Sequence, residues 1–237
     1  MKPESGDVVK VHTDGQAYEG ILMPRPEIFE KDHTIIKLDN GYNIGIENEK
    51  IKKIEVVKKY EKKKEERHKL NHKKELPTVS ILSFGGTISS KVDYRTGGVY
   101  ADYTAEDFVQ MLPELKDAAN LKAEKVMGIM SEDMAPEDWQ LMAKRIAKEL
   151  NDDEISGVIV TQGTDTLHFS TAAMSFFLRN LNKPVVFTAA QRSIDRGSSD
   201  AFSNLLCAVH TAAKFDGAAV VTCMHGTSDD GFCILNR

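Results

Sequence analysis

Three short polar segments of this sequence combine hydroxyls, carboxylates and glycines in a way that suits attack on a carbonyl carbon. Phe84-Gly85-Gly86-Thr87-Ile88 sets a hydroxyl directly behind a glycine pair. Glycines let backbone approach a ligand closely and can aim N–H groups at an oxyanion, and Thr87 is then placed to attack. Thr161-Gln162-Gly163-Thr164-Asp165-Thr166 adds a second hydroxyl, Thr164, beside the carboxylate of Asp165. Ser131-Glu132-Asp133-Met134 is the third polar segment. Each alone has a structural reading, since Gly-Gly-Thr is a common turn and Thr or Asp before a helix is an N-cap. Their order on successive strand ends is what points to one site.

The elements that must position them are βα units. Val79-Ser80-Ile81-Leu82 reads as a strand, and Thr104-Ala105-Glu106-Asp107 as a capping box that opens a helix. A second strand is expected over 124–129. Pro136 suits the first turn of a helix in which Trp139, Met142, Ala143, Ile146, Ala147 and Leu150 share one face. Gly157-Val158-Ile159-Val160 is a continuous apolar strand, followed by a helix burying Leu167, Thr171, Met174, Leu178 and Leu181. Pro184-Val185-Val186-Phe187 and Ala218-Ala219-Val220-Val221 flank a helix expected from about Asp200 to Lys214. All-apolar strands alternating with helices predict an α/β fold, a parallel sheet covered on both faces, over 77–237. Ligands of such sheets bind beyond the carboxyl ends of the strands, where the three segments fall.

The first 57 residues are different. Val8-Val9-Lys10-Val11, Gly20-Ile21-Leu22, Thr34-Ile35-Ile36-Lys37-Leu38, Tyr42-Asn43-Ile44-Gly45-Ile46 and Lys53-Ile54-Glu55-Val56-Val57 are five short strand candidates. Asn40-Gly41 predicts a hairpin with a type I′ turn. Five strands in so short a span predict a small SH3-like all-β barrel, closure removing the exposed edges. Residues 58–76 hold nine Lys or Arg and four Glu, a charged linker of local charge +5, so with a net charge of −5 the rest carries −10. Such a stretch could track RNA phosphates or simply be a solvated linker. His68 and His72 lie four apart but lack further ligands for a metal.

Composition excludes other classes. With 41% hydrophobic and 28% charged residues the chain is globular rather than disordered. No apolar run approaches the roughly 20 residues of a membrane span, and the start has no signal-peptide core, so a cytoplasmic location without membrane attachment is expected. Cys207, Cys223 and Cys233, an odd set with no CxxC pair, read as reduced structural thiols. Gly85-Gly86-Thr87 matches neither GxxxxGK[ST] nor GxGxxG, and there is no GxSxG elbow. His168, His210 and His225 have no clear nucleophile partner, so core or surface roles are expected of them.

Residues 77–237 resemble the L-asparaginase/glutaminase amidohydrolase family. Ser83-Phe84-Gly85-Gly86-Thr87-Ile88 is similar to its first threonine signature and Thr161-Gln162-Gly163-Thr164-Asp165-Thr166 to its second. Phe84 departs from the more usual Thr-Gly-Gly-Thr, at a position other than the nucleophile's. The leader of 76 residues is not typical of plain asparaginases. A small barrel (1–57), a charged linker (58–76) and then this domain (77–237) resemble the D subunits of archaeal-type glutamyl-tRNA(Gln) amidotransferases.

The resemblance implies Thr87 as primary nucleophile on the glutamine side-chain amide, with Thr164 as second catalytic threonine and Asp165 polarising it together with a lysine. A neutral hydroxyl needs such a setting to attack. It implies Ser131 and Glu132 as substrate-binding, and a loop tyrosine assisting Thr87. Tyr94, Tyr100 and Tyr103 are open for that role, Tyr100 being preferred. No metal or cofactor is implied in this chain; ATP and Mg belong to a partner, the amidotransferase's E subunit, which amidates Glu-tRNA(Gln) with the ammonia released. A homodimer within a heterotetramer is implied. The family's lysine is expected shortly after Leu235-Asn236-Arg237, yet no lysine follows Lys214, so the resemblance implies a C-terminally truncated chain, lacking the second lobe and inactive alone. The alternatives are a free-standing cytosolic L-asparaginase and a non-catalytic interaction module.

Overall fold

The computed structural model describes residues 2–24, 32–60, 72–92, 99–101, 105–192, 194 and 198–237. Two compact units emerge, one holding the N-terminal sheet and the other the α/β sheet.

In the first unit β1 (Val8–His12), β2 (Ala17–Leu22), β3 (His33–Lys37), β4 (Asn43–Glu47) and β5 (Lys53–Lys58) pair antiparallel in the order β4-β3-β2-β1-β5. Strand side chains alternate between faces, so Val9 and Val11 of β1 turn inward together and meet Ile36 and Ile46 in a small core. β4 and β5 are the outer strands of this order. The 39–41 hairpin forms, but not with a type I′ turn. Gly41 N–H donates to Leu38 O at 2.9 Å, Leu38 N–H to Tyr42 O at 2.8 Å, and Gly41 alone takes a left-handed φ of 84°. A three-residue loop with a bulge at its glycine needs only that one positive φ.

Buried Asp7 fastens the end of this unit. It accepts from the N–H groups of Glu4 and Tyr60 and from Lys59 Nζ, each at 2.9 Å. Burial alone would push its carboxyl up, but these donors outweigh burial and hold it below the ordinary range. The linker beyond Tyr60, including His68, lies largely outside the described residues.

Beyond the linker the elements are β6 (Thr78–Ser83), β7 (Ser90–Val92), β8 (Val99–Ala101), α1 (Ala105–Met111), α2 (Leu115–Ala118), β9 (Asn120–Lys125), α3 (Pro136–Leu150), β10 (Ile155–Thr161), α4 (Leu167–Phe177), β11 (Val185–Thr188), α5 (Ala201–Lys214), β12 (Val220–His225) and β13 (Cys233–Asn236). Thr104, expected to cap α1, lies outside the described residues. β7 and β8 make a ribbon of their own, and the main sheet has the order β13-β12-β11-β10-β6-β9. All its strands are parallel except β13, an antiparallel edge strand. Among the described residues no helix is long and apolar enough to cross a membrane.

Two departures from expectation share a cause. The second strand is 120–125 rather than 124–129, and β13 was not anticipated. Both are edge strands. β9 alternates, with Leu121 buried and Lys122 and Glu124 outward, and lacks the apolar run that marks a strand buried on both faces. Glu149 of α3 is also buried, and its carboxylate is met by Lys122 Nζ at 2.8 Å.

Each inner strand feeds two cores. Ile159 of β10 and Val186 of β11 join Leu205, Ala208 and Val209 of α5 and Leu115 of α2 on one face. Val158, Val160 and Phe187 join Met142 and Ile146 of α3 and Met174 of α4 on the other. This division fixes the hand of each crossover. From β6 the chain moves to β9 under α1 and α2, then reverses to β10 and on to β11 under α3 and α4 on the opposite face. Reversing both direction and face preserves the hand, so these three crossovers share one hand, the sense that βαβ units usually take being right-handed. The step from β11 to β12 keeps the direction, but α5 lies on the first face, so it has the opposite hand.

Candidate active site

The reversal of direction makes a topological switch point between the adjacent strands β6 and β10, where open α/β sheets bind ligands. Phe84, just beyond β6, donates its N–H to Thr161 O at the end of β10, 2.8 Å away, and its side chain is buried. The chain then turns through Gly85 (φ 108°) and Gly86 (φ 84°). Both positions need glycine for space as well as for φ. A Cβ at Gly85 would lie 2.5 Å from Ile129 O, and one at Gly86 would lie 2.3 Å from the Gln162 carbonyl and 2.5 Å from Gly163 N. Thr87 follows in a short 3₁₀ turn and is half-buried. Ser89 ties that turn down: its Oγ donates to Gly85 O at 2.8 Å and lies 3.0 Å from Ser83 Oγ.

The 161–166 segment seats the third loop in turn. A Cβ at Gly163 would fall 2.6 Å from Ser131 Oγ, and Thr166 Oγ1 donates to Ser131 O at 2.8 Å. Ser131 is buried; Glu132 beside it is exposed, Thr164 is half-buried and Asp165 exposed. Leu167 N–H reaches back to Thr164 O at 3.3 Å, closing the turn that begins α4. All three loops lie at one edge of the sheet and touch, the first through its glycine backbone and the other two through Thr166 and Ser131. Tyr100 stands in β8. Tyr94 and Tyr103 lie outside the described residues.

Thr166, Ser89 and Gln162 were not singled out from sequence, although the first and last stand inside the quoted motif. Gln162 is fully buried, with Oε1 lacking a partner among the described residues.

A second polar cluster occupies the same edge beyond β11 and β12. Asp200, completely buried at the start of α5, accepts from Gln191 N–H at 2.9 Å, Arg192 N–H at 2.8 Å and Asn204 Nδ2 at 3.0 Å, and lies 3.1 Å from His225 Nδ1. Burial would raise its carboxyl; the two backbone donors and His225 prevail and lower it. Arg192 also pairs with Asp230. Asp200 stands at the helix start read from sequence and also holds the Gln191–Arg192 backbone, and His225 is part of that anchor. His168 and His210 are exposed. Among the described residues no group of three acidic, His or Cys side chains is arranged to hold a metal ion.

The family described as "Asparaginase, N-terminal" matches residues 78–234, and the one described as "GatD N-terminal domain" matches residues 3–57. The chain is similar to the D subunit of the glutamyl-tRNA(Gln) amidotransferase of Pyrococcus furiosus, with 48% identity over 99% of this chain and 54% of the relative. Its counterpart in Thermococcus kodakarensis is 47% identical over 98% of this chain and 54% of the relative. The chain thus spans about half the length of the curated relatives it matches. Among solved structures it is similar to the thermostable L-asparaginase from Thermococcus kodakarensis, with TM-score 0.54 and 31% identity, covering 61% of this chain and 43% of that one.

Proposed function

The chain belongs to the asparaginase family, and we propose on that premise that it serves as the glutamine-hydrolysing part of a tRNA-dependent amidotransferase. The observation that supports this reading best is the seating of Gly86 on the Gln162–Gly163 peptide, which draws together the two threonine-bearing loops at the switch point. The small N-terminal sheet in front of the asparaginase-like sheet, matched in relatives named as the D subunit of an amidotransferase, supports transfer over simple hydrolysis.

In this reading Thr87 Oγ1 attacks the side-chain amide carbon of glutamine, and the C–N bond breaks to release ammonia. The ester left on Thr87 is then hydrolysed to glutamate. Thr164 and Asp165 activate the attack, Ser131 and Glu132 hold the amino-acid end of the substrate, where a carboxylate suits an ammonium group, and Tyr100 assists Thr87. Residues 1–57 form a separate module, 58–76 a linker and 77–237 the hydrolytic part. A partner, the amidotransferase's E subunit, uses the ammonia with ATP and Mg to amidate Glu-tRNA(Gln). The lysine implied beside Asp165 is not found after Lys214, so residues 1–237 assayed alone are expected to turn glutamine over little or not at all.

A second reading, asparagine hydrolysis without transfer, is favoured by the likeness to an L-asparaginase structure. Ammonia release from glutamine and from asparagine, measured side by side on the full-length protein with and without its partner and Glu-tRNA, separates them. Asparagine preference unaffected by partner or tRNA would overturn the transfer reading.

A further inference from the structure

The three cysteines, scattered in sequence, gather where α5 covers β12 and β13. All are free thiols; Cys223 is fully buried, Cys207 and Cys233 half-buried. Cys233 Sγ lies 3.7 Å from Ser203 O and 3.6 Å from Asn204 Oδ1. Ser203 O is the carbonyl to which the amide of Cys207 itself points in an α-helix, so Cys233 Sγ stands against the turn of α5 that ends at Cys207.

We propose that Cys207 and Cys233 are a redox modification site, closing to an intramolecular disulfide that fastens the edge strand β13 to α5. The third thiol fits this bond less well. In the β12–β13 register Cys233 faces His225 and Cys223 faces Leu235, so Cys223 and Cys233 are diagonal neighbours. Diagonal α-carbons lie about 7–8 Å apart, beyond the usual span of a disulfide, about 4.4–6.8 Å. Full burial also keeps an oxidant from Cys223.

The oxidant is a peroxide. The Cys207 thiolate attacks one peroxide oxygen, the O–O bond breaks, and the departing hydroxide leaves as water after taking a proton. Cys233 then attacks the sulfenic sulfur and expels a second hydroxide, also protonated to water. Two thiols lose two electrons, and one hydrogen peroxide becomes two waters. Burial pushes the Cys233 thiol up and that of Cys223 up to about 11, which keeps thiolate scarce and makes closure slow.

The test treats the reduced 237-residue chain with hydrogen peroxide, then counts thiols in denaturant and maps peptides without reduction. Thiols fall from three to one, the mass falls by about 2 Da, a 207–233 cross-linked peptide appears, and dithiothreitol reverses all three. Cys207→Ser and Cys233→Ser each abolish the mass loss, while Cys223→Ser or, where packing rejects serine, Cys223→Ala retains it. Thermal unfolding of the oxidised chain shifts upward by several degrees. Three surviving thiols, oxygen addition at one cysteine without the cross-link, or a cross-link through Cys223 would each overturn the proposal.

Discussion

Gly86 lies so close to Gln162 that a Cβ on the glycine would fall 2.3 Å from the glutamine carbonyl. The residues that follow each partner of this contact, Thr87 and Gly163-Thr164, are thereby held on neighbouring strand ends. Gly86→Ala is therefore expected to move the loop. The φ of 84° adds strain for any side chain, and together they should lower stability by about 2–4 kcal/mol. Displacement of a reacting group by about 1 Å can cost about 10²-fold in rate, so glutamine-dependent ammonia release should fall by at least that much. Urea unfolding and ammonia assays of the full-length variant check both; unchanged values would dismiss the contact as incidental.

Thr87→Ala should abolish glutamine-dependent amidation of Glu-tRNA in the complete complex, since loss of a covalent nucleophile typically costs several orders of magnitude. Ammonium salts should restore product formation, because on the proposed reading the partner's step needs only ammonia. Thr164→Ala and Asp165→Asn should behave alike. If the Thr87 variant still uses glutamine, Thr87 is not the nucleophile; if ammonium fails to rescue an assembled complex, these residues serve the transfer site.

Asp200→Ala should destabilise the second unit by about 3–5 kcal/mol, the usual cost of removing one partner from a buried charged network. The N–H groups of Gln191 and Arg192, the Asn204 amide and His225 all lose an acceptor. Urea unfolding of the variant checks this, and a loss under about 1 kcal/mol would mean that water or Asp230 replaces the carboxylate.

Stability should also fall in acid for a reason located at Asp7. Its carboxyl is held below the ordinary value when folded, so the unfolded chain binds the proton more readily. The stabilisation is complete above the unfolded value of about 4 and disappears as pH falls through the folded value. Lys59→Met removes the side-chain donor to Asp7 and should flatten this acid dependence of the first unit's unfolding, followed by circular dichroism from pH 6 down to about 2. An equally steep profile in the variant would place the acid sensitivity elsewhere.

How the chain divides between what sequence and tertiary structure decide follows from the range of the interactions concerned. Apolar runs such as Gly157-Val158-Ile159-Val160 announce a strand buried on both faces, and a glycine pair before Thr87 announces a tight turn, because local sterics and local burial patterns are written residue by residue. The two threonine motifs, with their spacing and order, likewise stand in the sequence alone. The edge strands β9 and β13 do not, since one-sided burial leaves only weak alternation and their pairing depends on neighbours distant in the chain. Nor does the opposite-handed crossover through α5, which follows from which face of the sheet the helix covers. That Gly86 rests on Gln162, that Thr166 ties down Ser131, that Asp200 holds 191–192, and that Cys207, Cys223 and Cys233 gather where α5 covers β12 and β13 are packing outcomes between separate elements. Only the folded sheet, by bringing separate strand ends to one edge, determines them.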